Sequence, residues 1–193
     1  MRVDPTSFER TYAESADPWS FATSAYEQRR YDVIESLLRP ADASGAPAYR
    51  RCFEPGCSVG VLTERLARRC ATVVAVDPSA SAIAAARARL GPLVGEPVEL
   101  AVGPIPEWWP DGRFDLVVFS ELGYYWDEPA LHELLVRFAA LREPGGDLVA
   151  AHWLGESPDH VLHGSTVHAV MRGVFGEPTR EVDGDGFVAA MWR

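Results

Sequence analysis

Apolar positions along the chain recur with two periods. From Ser24 to Leu38, Tyr26, Arg30, Ile34 and Leu37 or Leu38 return every three to four residues, the spacing of one helix face. The helical pattern covers 6–39, with Pro18 and Trp19 interrupting it and Pro40 ending it. The loop DASGAP (42–47) leads into a short strand, Arg51 to Glu54, stopped by Pro55-Gly56. Ser58 to Arg69 reads as a helix with Val61, Leu62, Leu66 and Ala67 on one side. The β-branched run Thr72 to Val76 reads as a buried strand, and Asp77-Pro78-Ser79 opens a helix that Gly91 caps. Strands follow at Pro97 to Val102 and Phe114 to Ser120, then a helix at Pro129 to Arg142. Glu143-Pro144-Gly145-Gly146 predicts a tight turn into strand LVAAHW. A last helix covers 163–175, and two final strands flank Gly184-Asp185-Gly186, a hairpin signal.

Strand–helix alternation closed by a hairpin predicts an α/β fold. The expected form is a doubly wound, mostly parallel, Rossmann-like sheet of seven strands with a C-terminal antiparallel hairpin. Residues 1–193 read as one domain, with 1–40 as an N-terminal helical cap. Ligands of such sheets bind at the carboxyl ends of the strands. That points to the loops 55–60, 77–79, 103–106, 121–127 and 152–160.

Composition narrows the chemistry. The net charge of −10, with no basic run, is unfavourable for phosphate-mediated nucleic-acid binding. No apolar stretch suits a membrane span and the N-terminus is too polar for a secretory signal, so a cytoplasmic protein is expected. Three cysteines, Cys52, Cys57 and Cys70, form no Cys-x-x-Cys pair, which argues against a disulfide framework or a structural zinc site. The chain contains no lysine, so a Schiff-base lysine and a P-loop lysine are both excluded.

The first strand ends in Glu54-Pro55-Gly56-Cys57-Ser58-Val59-Gly60, whose small residues let backbone approach a ligand closely. A helix starting near Ser58 would present free N–H groups. Asp77, at the end of the second strand, can accept both hydroxyls of a ribose. A carboxylate at Glu54 disfavours a phosphate beside this loop and suits a cationic or amino-acid-bearing ligand.

Glu54-x-Gly56-x-Ser58-x-Gly60 together with Asp77 resembles the first two motifs of the class I S-adenosylmethionine (SAM)-dependent methyltransferases, and the likeness extends over nearly the whole chain. Within that superfamily the chain is most similar to the NodS-type small amino-sugar N-methyltransferases. The shared features are Asp17-Pro18-Trp19, Tyr26-Glu27-x-x-Arg30 and Ser120-Glu121-Leu122-Gly123-Tyr124-Tyr125. Gly103-Pro104-Ile105 departs from the pattern, since many relatives carry an acid there beside the adenine.

The resemblance implies SAM as cofactor and S-adenosylhomocysteine (SAH) as product. It places Gly56, Cys57 and Gly60 along the methionine and ribose, with Ser58 also in the cofactor set, Asp77 on the ribose, and Pro78 or Ser79 beside the adenine, with Ile105 packed on it. Glu54, Gly103, Pro104 and Ser120 complete the cofactor set. Trp19 and Arg30 would close over the cofactor, Arg30 pairing with its carboxylate.

An amine acceptor must be neutral to attack a sulfonium methyl, and a nearby carboxylate can take its proton. Glu121, just past the fourth strand, is the first candidate, and His152, ending the fifth, is the second. Tyr124, Tyr125, Trp153, His163 and His168 are candidates for the acceptor pocket. His160, His163 and His168 lack a completing cysteine or acid, so no metal is expected.

The expected partner is a small-molecule acceptor, a deacetylated amino sugar or related amine, with neither nucleic acid nor membrane, in a monomer or homodimer. O-methylation of a small hydroxylated metabolite and a non-catalytic SAM-binding role are the alternatives. Gly56-x-Ser58-x-Gly60 also matches a hydrolase nucleophile elbow, but that reading leaves Glu54 and Asp77 unexplained. A nicotinamide enzyme lacks its third glycine in register.

Overall fold

A computed structural model of the protein describes residues 3–40 and 44–193. The N-terminal helical pattern divides into α1 (Thr6–Glu14) and α2 (Ala25–Leu37). The break between them is wider than Pro18-Trp19 alone, because the Asp17 carboxylate accepts the backbone N–H groups of Phe21 and Ala22 and ties the intervening segment into a turn. The alternation then runs β1 (Tyr49–Pro55), α3 (Val61–Leu66), β2 (Cys70–Asp77), α4 (Ala80–Leu90), β3 (Val98–Val102), β4 (Phe114–Ser120), α5 (Glu128–Leu141), β5 (Arg142–Trp153), α6 (Gly164–Phe175), β6 (Arg180–Asp183) and β7 (Phe187–Trp192). Residues 42–43 of the DASGAP loop lie outside the described residues.

The strands form one sheet in the order β3-β2-β1-β4-β5-β7-β6. Neighbours pair in parallel except β7, which runs antiparallel to both β5 and β6. The chain order reverses between β1 and β4, the switch point at which doubly wound sheets open a crevice.

Alternate residues of each strand enter different cores, since successive side chains point to opposite faces. Cys52, Val73, Ala75, Val118, Val149 and Ala151 pack under α2, α3 and α4. Phe53, Val74, Val76, Val117, Leu148 and Ala150 pack under α5 and α6.

Two differences from the sequence reading have a clear backbone cause. Helix α3 begins at Val61 rather than Ser58, because Ser58 and Gly60 take left-handed backbone (φ 52° and 78°) before the helix turns. The segment 143–146 lies within β5: Phe114 pairs with Arg142 and Leu116 with Asp147, so the extra residues bulge out of the ladder, with Gly145 at φ 73°.

Candidate active site

A cavity of about 490 Å³ opens at the carboxyl ends of β1, β2, β4 and β5, roofed by α1, the 15–24 segment and the start of α2. Its lining includes Trp19, Arg30, Gly56, Ser58, Asp77, Pro78, Ser120, Glu121, Tyr124, Tyr125 and Trp153. The sequence reading had selected all of these. Two smaller recesses of about 40 Å³ adjoin it. One lies under the first loop and reaches Glu54 and Cys57. The other is largely apolar and is lined by Gly103, Pro104, Ile105, Leu122 and Trp126.

The first loop is shaped by Gly56. Its φ of 73° lies in the left-handed region, and a Cβ there would meet Leu122 Cδ1 at 3.0 Å. The backbone thereby stays close to the cavity. Asp77 is buried and accepts the N–H of Ser58 (2.9 Å) on one oxygen and of Ser79 (2.9 Å) on the other. Each oxygen keeps a further lone pair for a diol. Burial pushes the Asp77 carboxyl up to about 6, although those two N–H groups pull it down. Glu54 is 3% exposed, its Oε2 lacks a hydrogen-bond partner, and burial raises its carboxyl to about 8. An orphaned buried acid beside a bent loop, a diol-ready aspartate and an apolar recess fit the amino group, ribose and adenine of SAM.

Arg30 and Glu121 define the opposite side. Arg30 is 1% exposed, and its guanidinium pairs with Glu27 and, at 3.1 Å, with Glu121. Burial opposes its charge, but the two acids outweigh burial and hold its pKa above the usual value. Glu121 Oε1 accepts the Trp153 N–H (2.6 Å), and Oε2 accepts the Tyr124 hydroxyl (3.0 Å). Burial raises the Glu121 carboxyl while Arg30, Tyr124 and Trp153 favour its ionised form. Its φ of 54° turns the chain sharply after β4, which aims the side chain back over the sheet end. Arg30 thus stands on the cavity wall but is engaged by two acids rather than presenting a free fork.

Five selected residues stand elsewhere. His152 is fully buried on the α5/α6 face: its Nε2 accepts the Gly123 N–H (3.1 Å) and its Nδ1 faces His168 Nε2 (3.2 Å). Burial lowers the pKa of both rings, that of His168 to about 4, so both are neutral supports of the 121–125 loop and neither lines the cavity. His163 caps α6, accepting from Ser165 N–H and facing the Leu154 carbonyl at 2.6 Å. Ser79 is fully buried, capping α4 and donating to Glu9. Gly60 packs against α4, where a Cβ would meet Ala86 at 3.1 Å.

The structure adds residues that the sequence reading had not selected. Phe8, Tyr12 and Phe21 roof the cavity, with Tyr12 bonded to the Ser58 hydroxyl. Glu9 anchors α1 by accepting from the hydroxyls of Ser79 (2.7 Å) and Ser81 (2.6 Å), which lowers its carboxyl to about 2. Asp159 and His160 reach in from the loop after β5, and His160 stacks on Tyr124 with ring centroids 3.7 Å apart. Glu27 also lines the wall. Its signal was Ser24-x-x-Glu27, a capping-box spacing. Half the box forms, since Ser24 accepts the Glu27 N–H (3.5 Å), but the Glu27 side chain turns inward to Arg30. Among the described residues no group of His, Cys, Asp or Glu could hold a metal ion, and no helix is long and apolar enough to cross a membrane.

A family model, Nodulation protein S (NodS), matches residues 7–172. Nodulation protein S of Bradyrhizobium diazoefficiens is 28% identical over 169 residues, covering 86% of this chain and 77% of that one. Nodulation protein S of Rhizobium tropici is 28% identical over 180 residues, covering 88% and 70%. The crystal structure of N-methyltransferase NodS from Bradyrhizobium japonicum WM9 in complex with SAH superposes with a TM-score of 0.77 at 24% identity, covering 97% of this chain and 96% of that one; it shows the shared fold. With the family matched across most of its length and a cavity whose groups suit the cofactor, the chain belongs to the NodS family and is a SAM-dependent methyltransferase acting on a small molecule.

Proposed function

We propose that the chain methylates the amine of a small molecule, an amino sugar or a related polar amine. The observation that carries this reading is Glu121. It is held at the cavity wall by the Trp153 N–H, the Tyr124 hydroxyl and Arg30, where it can take a proton from an ammonium acceptor. SAM supplies an already activated methyl group, so the protein's work is to align the acceptor, exclude water and receive its proton.

Glu54, Gly56, Cys57, Ser58, Asp77 and Pro78 would hold the methionine and ribose, and Gly103, Pro104 and Ile105 the adenine. Trp19 and Arg30 would cover them, with Ser120 beneath. Tyr124, Tyr125 and Trp153 surround Glu121 and suit the apolar faces and hydroxyl rims of a sugar. The names of the NodS relatives support an N-methyl acceptor. We further propose that 1–193 works as one catalytic unit under the 1–40 cap, in the cytoplasm, as a monomer or homodimer without nucleic acid.

The test is a product screen with methyl-deuterated SAM against glucosamine, deacetylated chitin oligosaccharides, simple alkylamines and hydroxylated aromatics. A mass gain on the nitrogen of an amino sugar or other amine is the expected result. Methylation confined to hydroxyl acceptors would replace this reading with O-methyl transfer.

A further inference from the structure

Among the described residues four carboxylates, Glu27, Glu54, Asp77 and Glu121, border the cavity and its adjoining recess besides the exposed Asp159 at the mouth, and one guanidinium, Arg30, stands among them. Glu27, Glu54, Asp77 and Arg30 are each less than a tenth exposed. Four full negative charges against one positive charge in a desolvated space are not sustained, so protons occupy some of the acids. Two atoms of this wall, besides the ion-paired Glu27 Oε2, are left open. Glu54 Oε2 and Arg30 Nε are buried without a hydrogen-bond partner, each on the wall of the cavity.

We propose that Glu27 carries the exchangeable proton of this wall: it releases the proton when the sulfonium cofactor binds and recovers one when methyl transfer removes the sulfonium charge. The inference rests on the amine reading above only for the origin of the recovered proton. In the balanced step, the nitrogen lone pair forms the N–C bond, and the C–S bond breaks with its electron pair staying on sulfur. The proton lost by the ammonium acceptor passes to the carboxylates sharing Arg30. Positive charge leaves the sulfur as that proton arrives, so the wall and its ligands keep the same total charge.

Geometry selects Glu27 over the other acids. SAM and SAH carry the same ammonium and carboxylate and differ in the sulfonium. A proton displaced from Glu54 by the common ammonium therefore cancels between the two ligands. Asp77 is fixed by two backbone N–H groups. Glu121 is fixed by three donors. Glu27 has Arg30 alone as its side-chain partner and shares it with Glu121. Facing it are Arg30 and Tyr31 from its own helix, Asp17 from the 15–24 segment, Glu121 from the loop after β4, and the adjoining Tyr26. Burial, Glu121 and Asp17 raise its carboxyl and Arg30 lowers it, leaving it at about 7, where a small change in local charge moves its proton.

The test is titration calorimetry at pH 7 in phosphate, imidazole and Tris, whose ionisation enthalpies differ, with SAM and with SAH. Wild type should release more protons on binding SAM than on binding SAH. Glu27→Gln should abolish the difference, whereas Glu27→Asp and Glu54→Gln should keep it. Equal proton counts for the two ligands in wild type would overturn the proposal without any variant needing to fold. So would a difference that survives Glu27→Gln or vanishes in Glu54→Gln. No acceptor is used, so failure of the amine reading shows separately, in the product screen.

Discussion

Replacing Glu121 with Gln separates proton transfer from architecture. The amide keeps its carbonyl oxygen for the Trp153 N–H, and Gln fits the left-handed backbone at 121 no worse than Glu. Arg30 loses one of its two acids but keeps Glu27, so no buried charge is left alone. The fold should therefore lose no more than about 1.5–3 kcal/mol, the range of a hydrogen bond to a charged group. Proton transfer is affected far more. A positioned general base contributes roughly 100- to 10,000-fold, or about 3–5 kcal/mol of barrier. The expected result is a fall in kcat of at least about 100-fold, with the SAM dissociation constant changed less than about threefold.

SAH release under saturating SAM, with an amine acceptor identified by the product screen, measures kcat, and calorimetry measures the cofactor. The kcat/KM profile supplies an internal control. Wild-type activity should fall on the acid side as Glu121 is protonated, and that limb should disappear in the variant. Unchanged kcat with intact SAM binding would remove Glu121 from proton transfer. A loss of SAM affinity beyond tenfold with kcat retained would make it a cofactor residue instead.

Three further outcomes follow from the geometry. Gly56→Ala forces a β-carbon into left-handed backbone against Leu122, so stability should fall by about 1–2 kcal/mol and SAH affinity should weaken, read by thermal denaturation and calorimetry. His152→Phe strands the Gly123 N–H at a cost of about 1–3 kcal/mol, and amide exchange should rise over 121–125; unchanged exchange there would contradict the supporting role of the histidine pair. Ligand-free stability should rise as pH falls from 9 toward about 6. Glu54 (about 8), Glu27 (about 7) and Asp77 (about 6) lie above their unfolded values, so the folded state binds more protons and gains stability as pH falls through that range. Below 6.5 the neutral, buried His152 and His168 favour the unfolded state, which protonates first. Melting temperatures from pH 5 to 9 at constant ionic strength test this, and a steady rise toward pH 9 would refute it.

The fold was legible because two periods seldom compete in this chain. FDLVVFS fills both faces of a central strand, and β4 begins and ends where the sequence places it. The misplaced elements are local. Glycines that a sequence reading assigns to helix starts and turns instead supply left-handed backbone, at Gly60 before α3 and at Gly145 within β5. Charge chemistry was legible where a motif carried it, at Glu54, Asp77, Glu121 and Arg30. Glu27 enters the sequence reading only within Tyr26-Glu27-x-x-Arg30, whose i,i+3 spacing allows the ion pair to Arg30 but does not show that it lines the cavity.

His152 stands off the cavity for a different reason, and parity explains it. The cavity opens on the α1/α2 side of the sheet, so a strand-end residue reaches it only from the face that enters that core. On β1 that face carries Cys52 and then Glu54; on β2, Val73, Ala75 and then Asp77; on β4, Val118 and then Ser120. On β5 it carries Val149, Ala151 and then Trp153. His152 lies one residue out of phase, on the face of Leu148 and Ala150, and meets His168 of α6 instead of a ligand. Position at a carboxyl end was therefore insufficient. Once Glu54 and Asp77 are taken as cofactor residues, the alternation along each strand selects Trp153 over His152. The sequence reading had named both neighbours, and the structure brings only Trp153 to the cavity.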